Sequence, residues 1–113
     1  MKSLKSKKIG SLFEREISMI ILEEVKEPKV KGVTITGCDV TNDLSFAKVY
    51  FTCLDRNHKE DIEKALNKAS GFIEISLSKK IDIRKMPKIS FHYDTSIEYG
   101  EEIEKKIEEL KQD

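Results

Sequence analysis

The sequence has no tryptophan, only two cysteines, two prolines and two histidines, and no net charge. Each shortage excludes a class of protein. Cys38 and Cys53 stand fifteen positions apart with no CxxC pattern, so they read as buried strand residues of a reducing compartment and not as a disulfide framework. With only His58 and His92 to join them, neither a metal site nor a cofactor is expected. No stretch approaches the roughly eighteen uninterrupted apolar residues of a membrane-spanning helix. The basic start runs into Ile9-Gly10-Ser11-Leu12-Phe13-Glu14-Arg15, which puts charges where the apolar part of a signal peptide would lie. These absences describe a cytoplasmic protein with no membrane partner.

Charge, by contrast, is plentiful. Of 113 residues, 37% are charged and 38% hydrophobic. The apolar residues recur periodically, which argues against disorder, and the length suits one domain with one core. The 21 cationic and 21 acidic side chains are unevenly distributed. The first eight residues hold Lys2, Lys5, Lys7 and Lys8 and no acid, a local +4. Residues 79–88 hold five bases against Asp82, again +4, whereas residues 98–113 hold seven acids against three lysines, a local −4. A neutral chain with basic patches still attracts a polyanion, because local potential steers the encounter.

Ile9, Leu12, Phe13, Ile17, Ile20, Ile21 and Val25 recur at three- and four-residue steps, predicting a helix over residues 8–27 that ends before Pro28. Met19 and Leu22 fall off this stripe. After Gly32 the period becomes two. Val33-Thr34-Ile35-Thr36 starts a strand reaching Val40, with a bulge or bend at Gly37. Thr41-Asn42-Asp43 forms a turn, and a second strand over about 45–54 turns Ala47, Val49, Phe51 and Cys53 to one side. So short a connection predicts an antiparallel hairpin. Residues 59–80 are helical again, with Ile62, Ala65, Leu66 and Ala69 in one stripe and Phe72, Ile73 and Leu77 in another. Pro87 opens a third strand, Lys88–Asp94, with Ile89, Phe91 and Tyr93 inward and Ser90 and His92 outward. A last helix over 96–111 has only the narrow stripe Ile103, Ile107 and Leu110 and is expected to be peripheral. The predicted order is α-β-β-α-α-β plus a terminal helix: one α+β domain, with its core over about 8–95 and a peripheral segment at 96–113.

Between the two central stripes lies Ala69-Ser70-Gly71. Glycine inside a helical pattern costs about 1 kcal/mol relative to alanine, so it marks a break where one helix ends and another begins. A helix N-terminus there attracts an anion; the same feature can be a packing kink that binds nothing. Lys64 and Lys68 stand beside it. The run Lys79, Lys80, Arg84, Lys85 and Lys88 can clamp a phosphate backbone or simply be solvated. The lysines at 2–8 read either as an arm on RNA or as a ragged terminus. Catalysis needs a base, a nucleophile and an orienting group, and no such set or motif is present, so no enzyme is expected.

Five blocks in order resemble the bacterial ribosome-binding factor A family over about residues 8–107. They are Glu27-Pro28-Lys29 with Val33-Thr34-Ile35-Thr36; Val40 to Tyr50; Ala65 to Ile73; Met86-Pro87-Lys88-Ile89-Ser90-Phe91; and Asp94-Thr95-Ser96-Ile97-Glu98-Tyr99-Gly100. The resemblance implies a variant type II K-homology fold in which Ala-x-Gly, here Ala69-Ser70-Gly71, replaces the phosphate-approaching Gly-x-x-Gly loop. It implies a non-enzymatic, monomeric assembly factor that binds the free 30S subunit and 16S rRNA during late maturation and rRNA processing. Assembly GTPases as further partners and a role in cold adaptation are implied too. By charge and position, the expected RNA surface is Lys64, Lys68, Ala69, Ser70, Gly71, Lys79, Lys80, Arg84, Lys85 and Lys88. The acidic last helix departs from the family's basic tail. It motivates an alternative reading, a protein-interaction module that docks a partner through that helix without touching RNA.

Overall fold

The computed structural model describes residues 2–111, apart from the side chains of 97–102, 109 and 111. Its elements are α1 (Leu4–Glu23), a 3-10 turn (Pro28–Val30), β1 (Val33–Val40), β2 (Phe46–Cys53), a 3-10 turn (Arg56–His58), α2 (Lys59–Lys68), α3 (Ser70–Lys80), β3 (Lys88–Tyr93) and α4 (Ser96–Lys111).

Helix α1 begins earlier than its apolar stripe predicts, because Ser3 caps it. The Ser3 hydroxyl accepts from the Ser6 N–H at 3.1 Å, a contact worth about 1 kcal/mol. Asn42 in the β1–β2 turn then holds the cap: its Oδ1 accepts from the Ser3 N–H at 2.9 Å and the Ser6 hydroxyl at 3.1 Å. Lys2 donates to the Val40 carbonyl at 2.9 Å and pairs with Asp39 at 3.1 Å. The basic start is therefore neither a loose arm nor a ragged end; it is a capped helix tied to the hairpin turn. The helix also stops short of Pro28, with Glu24 as its C-cap. The Glu24 carboxylate accepts from the Ser76 hydroxyl at 3.1 Å and pairs with Lys80 at 3.2 Å, fastening the end of α1 to α3. Off the stripe, Met19 and Leu22 are exposed.

The sheet order is β1-β2-β3. β1 and β2 form the expected antiparallel hairpin, with a register shift between Ile35 and Gly37. β3 runs parallel to β2, so the chain must cross over between them, and α2 and α3 make that crossover. Alternation along β2 and β3 buries Ala47, Val49, Phe51, Ile89 and Phe91 against the helices. Phe13, Ile17, Ile20, Val30, Leu66, Ile73 and Leu77 complete one core. Two predicted core residues sit differently. Phe72 is half exposed, because the inward face of α3 is Ile73, Ser76 and Leu77 and position 72 falls on its flank. Tyr93 is only partly buried, its ring edge-on to Phe51 at 5.6 Å with the Lys59 ammonium 4.9 Å above it.

Candidate RNA-binding surface

The break occurs at one residue. Ala69 closes α2 and precedes α3, with φ −85° and ψ −1°. Its N–H reaches the carbonyls of Ala65 and Leu66, both at 3.1 Å, and its carbonyl accepts from Ile73 N–H at 3.0 Å. The Ser70 hydroxyl donates to Asn67 O at 2.7 Å, so it serves the end of α2. α3 has no side-chain cap of its own. Gly71 is exposed, and a Cβ built on it would meet nothing within 4 Å. Neither packing nor backbone conformation requires glycine there.

Three side chains hold the helix pair to the sheet. β3 is an edge strand, and its outward N–H groups at Ile89, Phe91 and Tyr93 would otherwise lack partners. Glu74 accepts from Ile89 N–H at 3.3 Å, Asn67 from Phe91 N–H at 2.8 Å and Glu63 from Tyr93 N–H at 2.8 Å. Asn67 also donates to Phe91 O at 3.0 Å, so one amide clamps both backbone groups of one residue. These contacts cover the edge and fix the break against the sheet.

Grooves flank Ala69 on two sides. One, of about 370 Å³, is lined by Lys29, Lys64, Ala65, Lys68 and Ala69 with Glu27 and Asp61. The other, of about 320 Å³, is lined by Glu24, Val25, Lys26, Ala69 and Phe72. Lys64, Lys68, Ala69, Ser70 and Gly71 thus come together as expected. Lys26 and Lys29 join them, and sequence reasoning passed over both. Their signal was the basic pair around Glu27-Pro28, which the fold returns to the break through the buried anchor Val30.

The remaining expected residues lie elsewhere. Lys79 and Lys80 end α3, about 15 Å from the break along the helix, and Lys80 is engaged by Glu24. Arg84 is exposed, while Lys85 and Lys88 flank the β1–β2 turn: Lys85 Nζ reaches Ser45 Oγ at 3.4 Å, and Lys88 N–H donates to Ser45 O at 2.9 Å. The structure therefore divides the expected surface among the groove, the turn and the end of α3. His58 stands 2.6 Å from Asp55 and does not line either groove. Burial pushes the Cys38 thiol up to about 12, with Glu14 and Asp39 adding to the effect, so it stays protonated at neutral pH. Among the described residues, no three His, Cys, Asp or Glu side chains gather as a metal would require, and no helix is long and apolar enough to cross a membrane.

Comparison with known proteins places this geometry. The profile of the ribosome-binding factor A family matches residues 5–107. Ribosome-binding factor A of Staphylococcus carnosus is 46% identical over 112 residues, spanning 97% of this chain and 96% of that protein. The crystal structure of ribosome-binding factor A from Thermus thermophilus superposes with a TM-score of 0.72 at 18% identity, covering 78% of this chain and 93% of the other. A Thermus thermophilus homology model fitted into a cryo-EM map of a 30S complex gives 0.63 at 17% identity, covering 76% and 91%. The mixed α+β architecture with its helix–break–helix is the K-homology-like fold of these structures. On its sequence and its fold together, the chain belongs to the ribosome-binding factor A family.

Proposed function

We propose that the protein is a ribosome assembly factor that binds the free 30S subunit and its 16S rRNA and supports late maturation and 16S rRNA processing. Gly71 carries this reading. An exposed glycine in a helical turn lowers stability, and here no steric or conformational need explains it. Its bare backbone, with Lys26, Lys29, Lys64 and Lys68 in the adjoining grooves, suits the close approach of a phosphate backbone. The family relation and the 30S complex of a Thermus thermophilus relative support the choice of partner. The protein acts by binding and not by catalysis, as a cytoplasmic monomer with a role in cold adaptation, and assembly GTPases are its further partners.

Co-sedimentation with immature and mature small subunits over a salt series tests this. Binding should fall steeply with salt, since each phosphate contact releases counterions. Lys64→Ala combined with Lys68→Ala should reduce it further without unfolding the protein. Salt-insensitive binding, or wild-type binding by the double variant, would count against the proposal. A second reading rests on α4, where Ile103, Ile107 and Leu110 remain exposed. If α4 docks a protein partner instead, deleting residues 100–113 abolishes subunit binding; under the first reading binding survives.

A further inference from the structure

The face of the sheet turned away from α1, α2 and α3 carries its own pattern. Register puts Phe46 beside Lys88, Lys48 beside Ser90 and Tyr50 beside His92. Phe46 is 56% exposed, which is unusual for so large an apolar ring in a strand. The Tyr50 and His92 rings lie 6.0 Å apart, tilted by 43°, and the Ser90 hydroxyl sits 2.9 Å from His92 Nε2. On its other side Tyr50 faces Gly37, where only a hydrogen stands in place of a side chain. The ring is therefore not covered from β1 and is partly exposed.

Charge on this side favours an anion. Lys85 and Lys88 reach its turn end through Ser45, and Lys48 lies between the aromatic positions. Three acids lie near it and keep their charge, but with Lys2 the lysines number four. Asp39 pairs with Lys2, Asp43 accepts from the Thr41 hydroxyl and Ser45 N–H, and Asp94 accepts from Thr36 and Ser96. Rings interleaved with lysines on an open sheet fit single-stranded nucleic acid: every base offers a π-face to stack, and the phosphates follow the cations. A duplex cannot lay its bases on such a surface.

We propose that this open sheet face is a second RNA contact taking an unpaired strand, with bases on Phe46 and the Tyr50–His92 pair and phosphates at Lys48, Lys85 and Lys88. It rests on the RNA-binding reading and adds a site separate from the groove cluster at Ala69. Bound together, the two contacts would hold one RNA at both a structured and an unpaired segment.

The test uses the full chain, a mixed-sequence single-stranded RNA of about ten nucleotides and an RNA duplex of the same length. Fluorescence anisotropy should show the single strand binding and Phe46→Ala lowering its affinity about tenfold or more, with duplex binding unchanged. Lys48→Gln with Lys88→Gln should lower it too and flatten its salt dependence. All three substitutions are at exposed positions, and circular dichroism confirms the fold. Chemical shifts should move at Tyr50 and His92. No single-strand binding, wild-type affinity in both variants, or shifts confined to residues 64–71 overturns the inference while leaving subunit binding by the intact protein as the separate test of the assembly reading. A cross-link from position 46 to a ribosomal protein instead of rRNA in the subunit complex would also overturn it.

Discussion

Gly10 and Gly71 are both helical glycines, yet the space beside them is opposite in kind. A Cβ on Gly10 would stand 2.8 Å from the Cys38 carbonyl oxygen, whereas one on Gly71 would meet nothing. Gly10 lets α1 lie close on β1, so Gly10→Ala must push helix from strand. We expect a loss of about 1–3 kcal/mol in urea unfolding; an unchanged midpoint would refute the close approach. Gly71→Ala should do the reverse and raise stability by about 0.5–1 kcal/mol while weakening small-subunit binding. A variant that is both more stable and fully binding would remove the functional reason for that glycine.

At the scale of elements, the helix pair and β3 depend on each other through three side chains. Asn67 does the most, because it both donates to and accepts from Phe91. Asn67→Ala should cost about 1–3 kcal/mol, since it leaves a strand N–H and carbonyl without partners, and the Phe91 amide should exchange faster with solvent. Helix α4 hangs on Asp94, which accepts from the Ser96 hydroxyl, the Thr36 hydroxyl at 2.6 Å and the Ser96 N–H at 2.9 Å. These bonds hold its carboxyl below the ordinary 3.8, the Ser96 hydroxyl contributing most. A depressed folded-state value means the link is complete above the unfolded carboxylate range and is lost as pH falls through the lower folded value. An NMR titration should give Asp94 a midpoint below 3.8, with the Ser96 amide moving in step. A midpoint at or above that value would mean the carboxylate does not carry the tether.

Over the whole molecule, the basic segments at 2–8 and 79–88 are remote in sequence, yet both fasten to residues 40–46. The groove at Ala69 gathers another set of lysines from outside them. A neutral protein thereby presents concentrated positive charge, to which a polyanion would be drawn at low salt and from which it would be released as salt rises. Removing residues 97–113 should shift the thermal midpoint little, because Ile103, Ile107 and Leu110 stay exposed. A large fall in that midpoint would show that α4 supports the core after all.

Much of this was legible in the residues. Element order, the hairpin, the bulge by Gly37 and the break at Ala69 follow from period, turn chemistry and one misplaced glycine, all local properties. The start of α1 was missed although Ser3 is an ordinary capping residue, because the apolar stripe begins only at Ile9. The parallel run of β3, the Asn67 clamp and the meeting of distant lysines had no local signal. Composition and spacing determined which segments would be helix or strand, and which side chains carried charge. Which charges would share a surface was decided by the crossover and by buried anchors such as Val30, since contacts between segments far apart in the chain exist only once the core has closed.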